Sequence, residues 1–188
     1  MIEDPERPDD WLDGSPLLGL HCSAVSPSAS VGVHVHRQPV RFGDCDPAGI
    51  VYYPRFLHFF HEAMETWFLE VLNYPYHQVI LGKQIGFPSV HCEADFRVPC
   101  GLGEVLAIEL SVAKLGRSSI RFDYRVRTFG QPASELRLSG ATVCVVMDLD
   151  PGSPTFRQAL PIPAGLRARI EAFMAGTTMP LEAREGST

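Results

Sequence analysis

Between Pro54 and Pro75 the sequence carries one long apolar stripe that few folds can accommodate. Phe56, Phe59, Phe60, Ala63, Met64, Trp67, Phe68 and Val71 fall at offsets of 0, 3, 4, 7, 8, 11, 12 and 15. That is the period of an α-helix, sustained over several turns. Leu57, Leu69 and Leu72 widen the stripe, so the helix must be wrapped by other structure. Pro54 suits the first turn, where its missing N–H costs nothing. Asn73 and Pro75 end the pattern.

The rest of the chain supplies strands to do the wrapping. Val31, Val33 and Val35 alternate with Gly32, His34 and His36, the period of a strand. His34 and His36 share one face, expected to meet solvent. The chain runs on through Val40 and Phe42 into a loop rich in Gly, Asp and Pro. After the helix, Pro88 to Phe96 reads as extended. Leu106, Ile108, Leu110 and Val112 alternate with Val105, Ala107, Glu109 and Ser111, and Ile120 to Arg127 repeats the pattern. Glu135 to Met147 makes a last strand, with Gly116, Gly130 and Pro132 marking turns. A Pro-rich loop from Asp148 to Pro163 leads to a short amphipathic helix around Leu166 to Met174. One buried helix and an antiparallel meander have a simple solution, a sheet curled around the helix. The predicted fold class is α+β: a hotdog fold, an antiparallel sheet of about five strands wrapped around one long helix, with a short C-terminal helix. Such a sheet leaves edges open, so the domain is expected to pair with another copy.

Residues 1–30 differ from the rest. They hold Pro5, Pro8, Pro16 and Pro27, several acids and the serine-rich stretch Ser23 to Ser30, the composition of a mobile or loosely attached arm. Residues 31–176 are expected to form the folded domain and residues 177–188 a frayed tail.

Charge and cysteine usage exclude several function classes. The chain of 188 residues has a formal net charge of -6, opposite to the basic balance of a nucleic-acid binder. An anionic substrate therefore needs a local basic spot. Cys22, Cys45, Cys92, Cys100 and Cys144 are odd in number and widely spaced, which fits neither a disulfide framework nor a zinc knuckle. Free thiols suit a reducing cytoplasm. No apolar run approaches the ~20 residues that span a bilayer, and the acidic N-terminus lacks a signal-peptide core. The expectation is a soluble cytoplasmic protein without nucleic-acid or membrane partners. His58-x-x-His61-Glu62 is not the order of a zinc protease, so neither a metal nor a cofactor is expected.

The loop ahead of the helix carries the chemistry. The first turn of a helix has N–H groups without intrahelical partners and a partial positive charge. A carbonyl oxygen placed there is polarised, and one such donor to an oxyanion is worth roughly 3–4 kcal/mol. Tyr52 or Tyr53 offers an amide at that entrance, and Gly49 lets the backbone approach a ligand closely. A carboxylate just upstream can attack a carbonyl carbon or activate water. Acyl transfer from a thioester needs little more, because thiolate is a good leaving group. By residue pattern alone, Asp44-Cys45-Asp46-Pro47 also reads as turn and capping chemistry. No His is positioned by sequence to activate Cys45, which reads as a packed thiol.

The run Phe42-Gly43-Asp44-Cys45-Asp46-Pro47-Ala48-Gly49-Ile50-Val51-Tyr52-Tyr53-Pro54 closely resembles the active-site segment of the 4-hydroxybenzoyl-CoA thioesterase family, in its Asp-type branch. A weaker likeness extends from about Val33 to Met147. The resemblance implies an acyl-CoA thioesterase that cuts an aryl-acyl-CoA to the free acid and coenzyme A. It implies Asp46 as the catalytic carboxylate, acting as nucleophile or general base, and the Tyr53 backbone N–H as the group that polarises the thioester carbonyl. Asp44 is then structural.

Two departures from the family pattern limit the inference. Where the 4-hydroxybenzoyl enzyme has an Asp that contacts the para-hydroxyl of the ring, this chain has His61. That substrate does not carry over, and His61 either hydrogen-bonds a ring substituent or simply packs. Beside it, Phe60 and Met64 either line an acyl pocket or belong to the core alone. The family's phosphate-holding basic cluster falls on Lys114-Leu115-Gly116-Arg117-Ser118-Ser119, where Arg117 matches a basic position. Arg117 and Ser118 either grip a phosphate or form a solvated turn. The resemblance also implies a homodimer or homotetramer, with helix and turn from two subunits around each site. Two alternatives stand: a thioesterase for aliphatic or carrier-protein-bound chains, and a non-catalytic acyl-CoA-binding module, against which the retained Asp46 argues.

Overall fold

A computed structural model describes residues 32–132 and 134–177. The expected N-terminal arm and nearly all of the expected tail lie outside the described residues. In chain order the elements are β1 (Val33–Pro39), α1 (Arg55–Glu70), β2 (Ile85–Gly86), β3 (Ser89–Phe96), β4 (Val105–Leu115), β5 (Ser119–Thr128), β6 (Leu138–Val145), β7 (Met147–Asp148) and α2 (Ala164–Met174). Five of the strands form one antiparallel sheet in the order β1-β4-β5-β6-β3. This is the expected hotdog arrangement. The last long strand is shorter than its apolar pattern predicted, starting at Leu138. The Pro-rich loop is pinned by an unforeseen ribbon of β2 with β7.

The apolar stripe of α1 lies in the curve of the sheet. Phe59, Phe60, Ala63, Trp67 and Phe68 are fully buried, as are Leu106, Ile108 and Leu110 of β4 and Ile120, Phe122 and Val126 of β5. Each such side chain contributes about 1.5–3 kcal/mol on leaving water. Trp67 meets Phe122 and Phe173 of α2 edge to face, with ring centroids 5.4 Å apart in both pairs. Phe60 stacks on Tyr124 at 4.2 Å, its plane within 7° of parallel. Gly140 of β6 makes room for that stack. A Cβ there would lie 2.6 Å from Phe60 Cε2 and 2.7 Å from the Glu93 carbonyl oxygen. The outer face of the sheet is polar and cross-linked, as in Arg127 Nε to Glu109 Oε1 at 2.7 Å and Arg121 Nη2 to Glu93 Oε1 at 2.7 Å.

One expectation about β1 is corrected. His34 and His36 do not face solvent: His34 is buried and His36 half-buried. The register pairs Val33 with Ser111 and Val35 with Glu109, so the valines share the outer polar face. His34 and His36 pair with Leu110 and Ile108 and turn toward α1. There the Thr66 hydroxyl donates to the Ala63 carbonyl and lies within hydrogen-bond distance of His34 Nε2 at 3.0 Å and His36 Nδ1 at 3.2 Å. Hydrogen bonding to the helix outweighs the residue-type preference that put valine inward.

At the other edge, β3 alternates in a telling way. His91, Glu93 and Asp95 take the outer side, while Cys92, Ala94 and Phe96 take the side of α1; the register shifts at Val90, between Ser89 and His91. α1 covers this side only in part: Phe56 meets Phe96, yet Phe96 stays 52% and Val90 63% exposed. Among the described residues, no helix is long and apolar enough to cross a membrane.

Candidate active site

The chain leaves β1, makes a short 3-10 turn at Phe42–Asp44, and doubles back on itself before entering α1. Asp44 organises the first part. Its side chain is buried, with Oδ2 accepting from the Arg41 N–H at 2.8 Å and Oδ1 from Arg55 Nε at 2.9 Å. The next residues form two short arms paired antiparallel: Asp46 N–H donates to the Ile50 carbonyl at 2.9 Å and Tyr52 N–H to the Asp44 carbonyl at 2.9 Å. The turn between them closes through Gly49 N–H to the Asp46 carbonyl at 2.9 Å. Gly49 has φ 77, and a Cβ there would touch nothing within 4 Å. Glycine is required at that position by backbone conformation, not by lack of space. Val51 N–H to the Cys100 carbonyl at 2.8 Å fastens the hairpin to the segment leading into β4.

Within this hairpin the Asp46 side chain is half-buried and lightly used. Its Oδ1 accepts the Ala48 N–H at 2.8 Å; Oδ2 has no partner among the described residues. Cys45 beside it is half-buried; burial, then the charges of Asp44 and Asp46, push its thiol up, which disfavours the thiolate.

At the entrance of α1, most amides are spoken for. Tyr52 N–H goes to Asp44, Arg55 N–H to the Tyr52 carbonyl at 2.8 Å, and Phe56 N–H to the Tyr53 carbonyl at 3.3 Å. Tyr53 N–H has no acceptor among the described residues. No acid sits in the first turn of α1, so the positive end of the helix is free for a ligand's partial negative charge.

Next to this entrance lies an open depression of about 290 Å³, lined by Ile50, Tyr53, Phe56, Phe96, Arg97 and Val98 among others. Its floor is aromatic: Phe56 and Phe96 meet edge to face at 5.5 Å. Cys100 also borders it. Burial pushes that thiol up to about 11, leaving it neutral.

The structure gathers some of the expected residues and separates others. Asp46, Gly49 and Tyr53 share the hairpin. Phe60 is buried in the core, stacked on Tyr124. His61 is exposed, pairs through Nε2 with Glu65 Oε1 at 3.0 Å, and meets the Tyr76 ring edge to face at 5.5 Å. His58 is likewise taken by Glu62, at 3.3 Å. Arg117 and Ser118 lie beyond the far end of β4, whose 11 residues span ~35 Å. Their backbone is held there by Ile162 N–H to the Arg117 carbonyl at 2.9 Å and Val146 N–H to the Ser118 carbonyl at 2.8 Å. A single chain therefore does not bring Arg117 and Ser118 to Asp46. Sequence reasoning missed Arg55, the partner of Asp44, and the Phe96-Arg97-Val98 rim. The apolar residues of that rim follow the strand alternation, but Arg97 carries no pattern that singles it out.

With this geometry in place, comparison with known proteins is informative. The thioesterase-like superfamily matches residues 40–170. A 1,4-dihydroxy-2-naphthoyl-CoA hydrolase of Synechococcus elongatus is 36% identical over 96 residues, which cover 50% of this chain and 70% of that one. A 4-hydroxybenzoyl-CoA thioesterase of Pseudomonas sp. is 34% identical over 84 residues, covering 44% of this chain and 60% of that one. The solved structure of a gentisyl-coenzyme A thioesterase superposes with a TM-score of 0.63 at 28% identity, over 73% of this chain and 99% of that one. The superfamily match takes in the hairpin, α1 and the whole sheet from β3 to β6, and on that extent the chain belongs to the thioesterase-like superfamily.

Proposed function

We propose that the chain hydrolyses aryl-CoA thioesters to the aromatic acid and coenzyme A. The observation that carries this reading is the unpartnered Tyr53 N–H at the start of α1, in the same hairpin as the Asp46 carboxylate and bordering the apolar depression. The thioester carbonyl oxygen accepts the Tyr53 N–H, which stabilises the charge that develops as the carbon becomes tetrahedral. Asp46, through its free Oδ2, either takes a proton from an attacking water or attacks the carbon itself. The tetrahedral species collapses by breaking the C–S bond, and coenzyme A leaves as thiolate. In the nucleophilic variant, water then cleaves the mixed anhydride and restores the carboxylate.

The aromatic floor of Phe56 and Phe96 suits a ring. At about 290 Å³ the depression is at the low end of small-molecule sites, which run roughly 300–1,000 Å³. It has room for an acyl group but not for a nucleotide as well. The acyl groups in the names of the relatives above are all hydroxylated rings.

We further infer that two copies pair through β3. Its free edge and its uncovered Val90, Cys92 and Phe96 both call for a partner. Two-fold pairing reverses the second sheet. It brings the partner's Lys114–Ser119 turn to the same end as Asp46, where Arg117 and Ser118 can hold coenzyme A phosphate. The unpaired thiols at Cys45, Cys92, Cys100 and Cys144 suit a reducing cytoplasm.

The test is thiol release from a panel of aryl- and alkyl-CoA thioesters by the purified protein and by Asp46→Asn. Turnover of aryl thioesters, lost in Asp46→Asn, is expected. No turnover of any thioester sinks the enzyme reading, and turnover undiminished in the variant sinks the site.

A further inference from the structure

We propose that Arg97 selects for an aromatic acyl group bearing an acidic oxygen on the ring, a phenol or phenolate, by binding that oxygen at the rim of the depression. This rests on the reading that the site takes aryl-CoA thioesters.

The depression is apolar on every side but one. Ile50, Phe56, Phe96 and Val98 give it a hydrocarbon wall, and Tyr53 marks the end where the thioester carbonyl sits. Arg97 is the one charged residue among the described residues that line it. Other arginines near the site have carboxylate partners: Arg55 holds Asp44 at 2.9 Å through Nε, and Arg137 Nη2 reaches Glu104 Oε1 at 2.7 Å. Among the described residues, Arg97 makes no ion pair and its guanidinium no hydrogen bond. Its backbone is nonetheless fixed. Arg97 N–H and Val98 N–H both donate to the Arg137 carbonyl, at 2.9 and 3.0 Å. The backbone that presents the side chain is therefore tied to the segment entering β6.

Guanidinium has five donors and no acceptor. What it takes from a ligand is an oxygen carrying negative charge or lone pairs. In a chain of net charge -6, an unneutralised cation at the lip of a hydrophobic hollow is the local basic spot that an acidic ring substituent requires. His61 does not serve instead. It is occupied by Glu65 and Tyr76 and does not border the depression. Phosphates of coenzyme A are the other anions within the substrate. A ring held at the Tyr53 end places its substituents against this rim, whereas the phosphates lie a pantetheine arm away from the thioester.

The experiment compares the full-length protein with Arg97→Gln and Arg97→Lys. Binding is read by calorimetry with phenacyl-CoA and its 2-, 3- and 4-hydroxy derivatives, ketone thioethers that cannot be hydrolysed. Turnover is read on benzoyl- and hydroxybenzoyl-CoA and on the matching pantetheine thioesters. The parent is expected to bind at least one hydroxylated isomer more tightly than phenacyl-CoA. Arg97→Gln should erase that preference, about tenfold for a charge-assisted hydrogen bond at a partly solvated rim, with phenacyl-CoA affinity kept within about twofold. Arg97→Lys should restore part of it. An unchanged preference in Arg97→Gln overturns the proposal. So does an equal loss for every CoA ligand with none for pantetheine thioesters, the signature of a phosphate contact. Absence of turnover with the binding preference intact would reject the hydrolase reading and leave the ring-oxygen contact standing.

Discussion

Arg55 holds Asp44 and leaves Asp46 alone. Arg55 Nε donates to Asp44 Oδ1 at 2.9 Å, while the Asp46 carboxylate receives, among the described residues, only the Ala48 N–H, at 2.8 Å. Two acids one residue apart are thus sorted by their surroundings. One is 4% exposed and neutralised; the other keeps an oxygen free next to the helix entrance.

The two acids should therefore fail differently when changed. Asp44→Asn breaks a pair in which the carboxylate is buried, stranding Arg55. It should cost about 1–3 kcal/mol of stability, less than a fully buried pair because Arg55 is partly solvated. Asp46→Asn keeps an oxygen for the Ala48 N–H and should unfold within about 0.5 kcal/mol of the parent. Its thioester turnover should fall by about a hundredfold or more. Urea unfolding and thiol-release assays on both variants check the contrast.

At Tyr53 the backbone and not the phenol matters. The ring is 66% exposed and makes no polar contact among the described residues. Tyr53→Ala should keep most of the maximal rate. Tyr53→Pro removes the N–H and should lower kcat by about 10²–10³. Circular dichroism would confirm that the helix persists, since proline is tolerated where a helix begins.

The long helix and the meander were legible because burial imposes periods of 3.6 and 2 on residue type. The hairpin was legible because its glycine and acids serve conformation and chemistry at once. What stayed hidden depends on side chains that meet across the fold. Valine alternation on β1 gave the wrong face, because Thr66 of α1 offers His34 and His36 a hydrogen-bonding site no local pattern reveals. The family likeness brings Arg117 and Ser118 to the site from a second subunit, and the length of β4 keeps them away from Asp46 within one chain.

His34 makes stability pH-dependent. Burial, and secondly the charge of His36, lower its pKa from 6.5 to about 4. Glu70 lies 4.0 Å from Nδ1 but is well solvated, so desolvation wins. The native state thus prefers neutral His34 more strongly than the unfolded chain does. The contribution is present in full above about pH 6.5 and is lost as pH falls from there to about 4, an upper bound of about 3 kcal/mol. Urea unfolding at pH 7.5 and at pH 4.5 should show a smaller loss for His34→Gln than for the parent. Equal losses would exclude His34 as the origin.

Gly140 is a packing requirement. Its missing Cβ is where Phe60 Cε2 and the Glu93 carbonyl approach, at 2.6 and 2.7 Å. Gly140→Ala should push Phe60 off Tyr124 and cost about 1–3 kcal/mol by overpacking. Gly140→Ala combined with Phe60→Leu should recover part of that loss, since removing the ring removes the clash with Phe60 and leaves the one with the Glu93 carbonyl. Thermal unfolding of the two variants, with Phe60→Leu alone as reference, measures the coupling.

Strand β3 tests the assembly. Val90 is 63% exposed in one chain, so a charge there should change the folding of the single chain by no more than about 0.5 kcal/mol. If β3 pairs with its copy, the same charge falls inside an apolar contact that must be desolvated. Val90→Lys should then shift the protein toward monomer in sedimentation velocity. Activity should fall with it, because the monomer leaves the depression beside Phe96 open and carries its own Arg117 some ~35 Å away. The loss should grow on dilution for the parent as well. A Val90→Lys protein with unchanged sedimentation would place the subunit contact elsewhere.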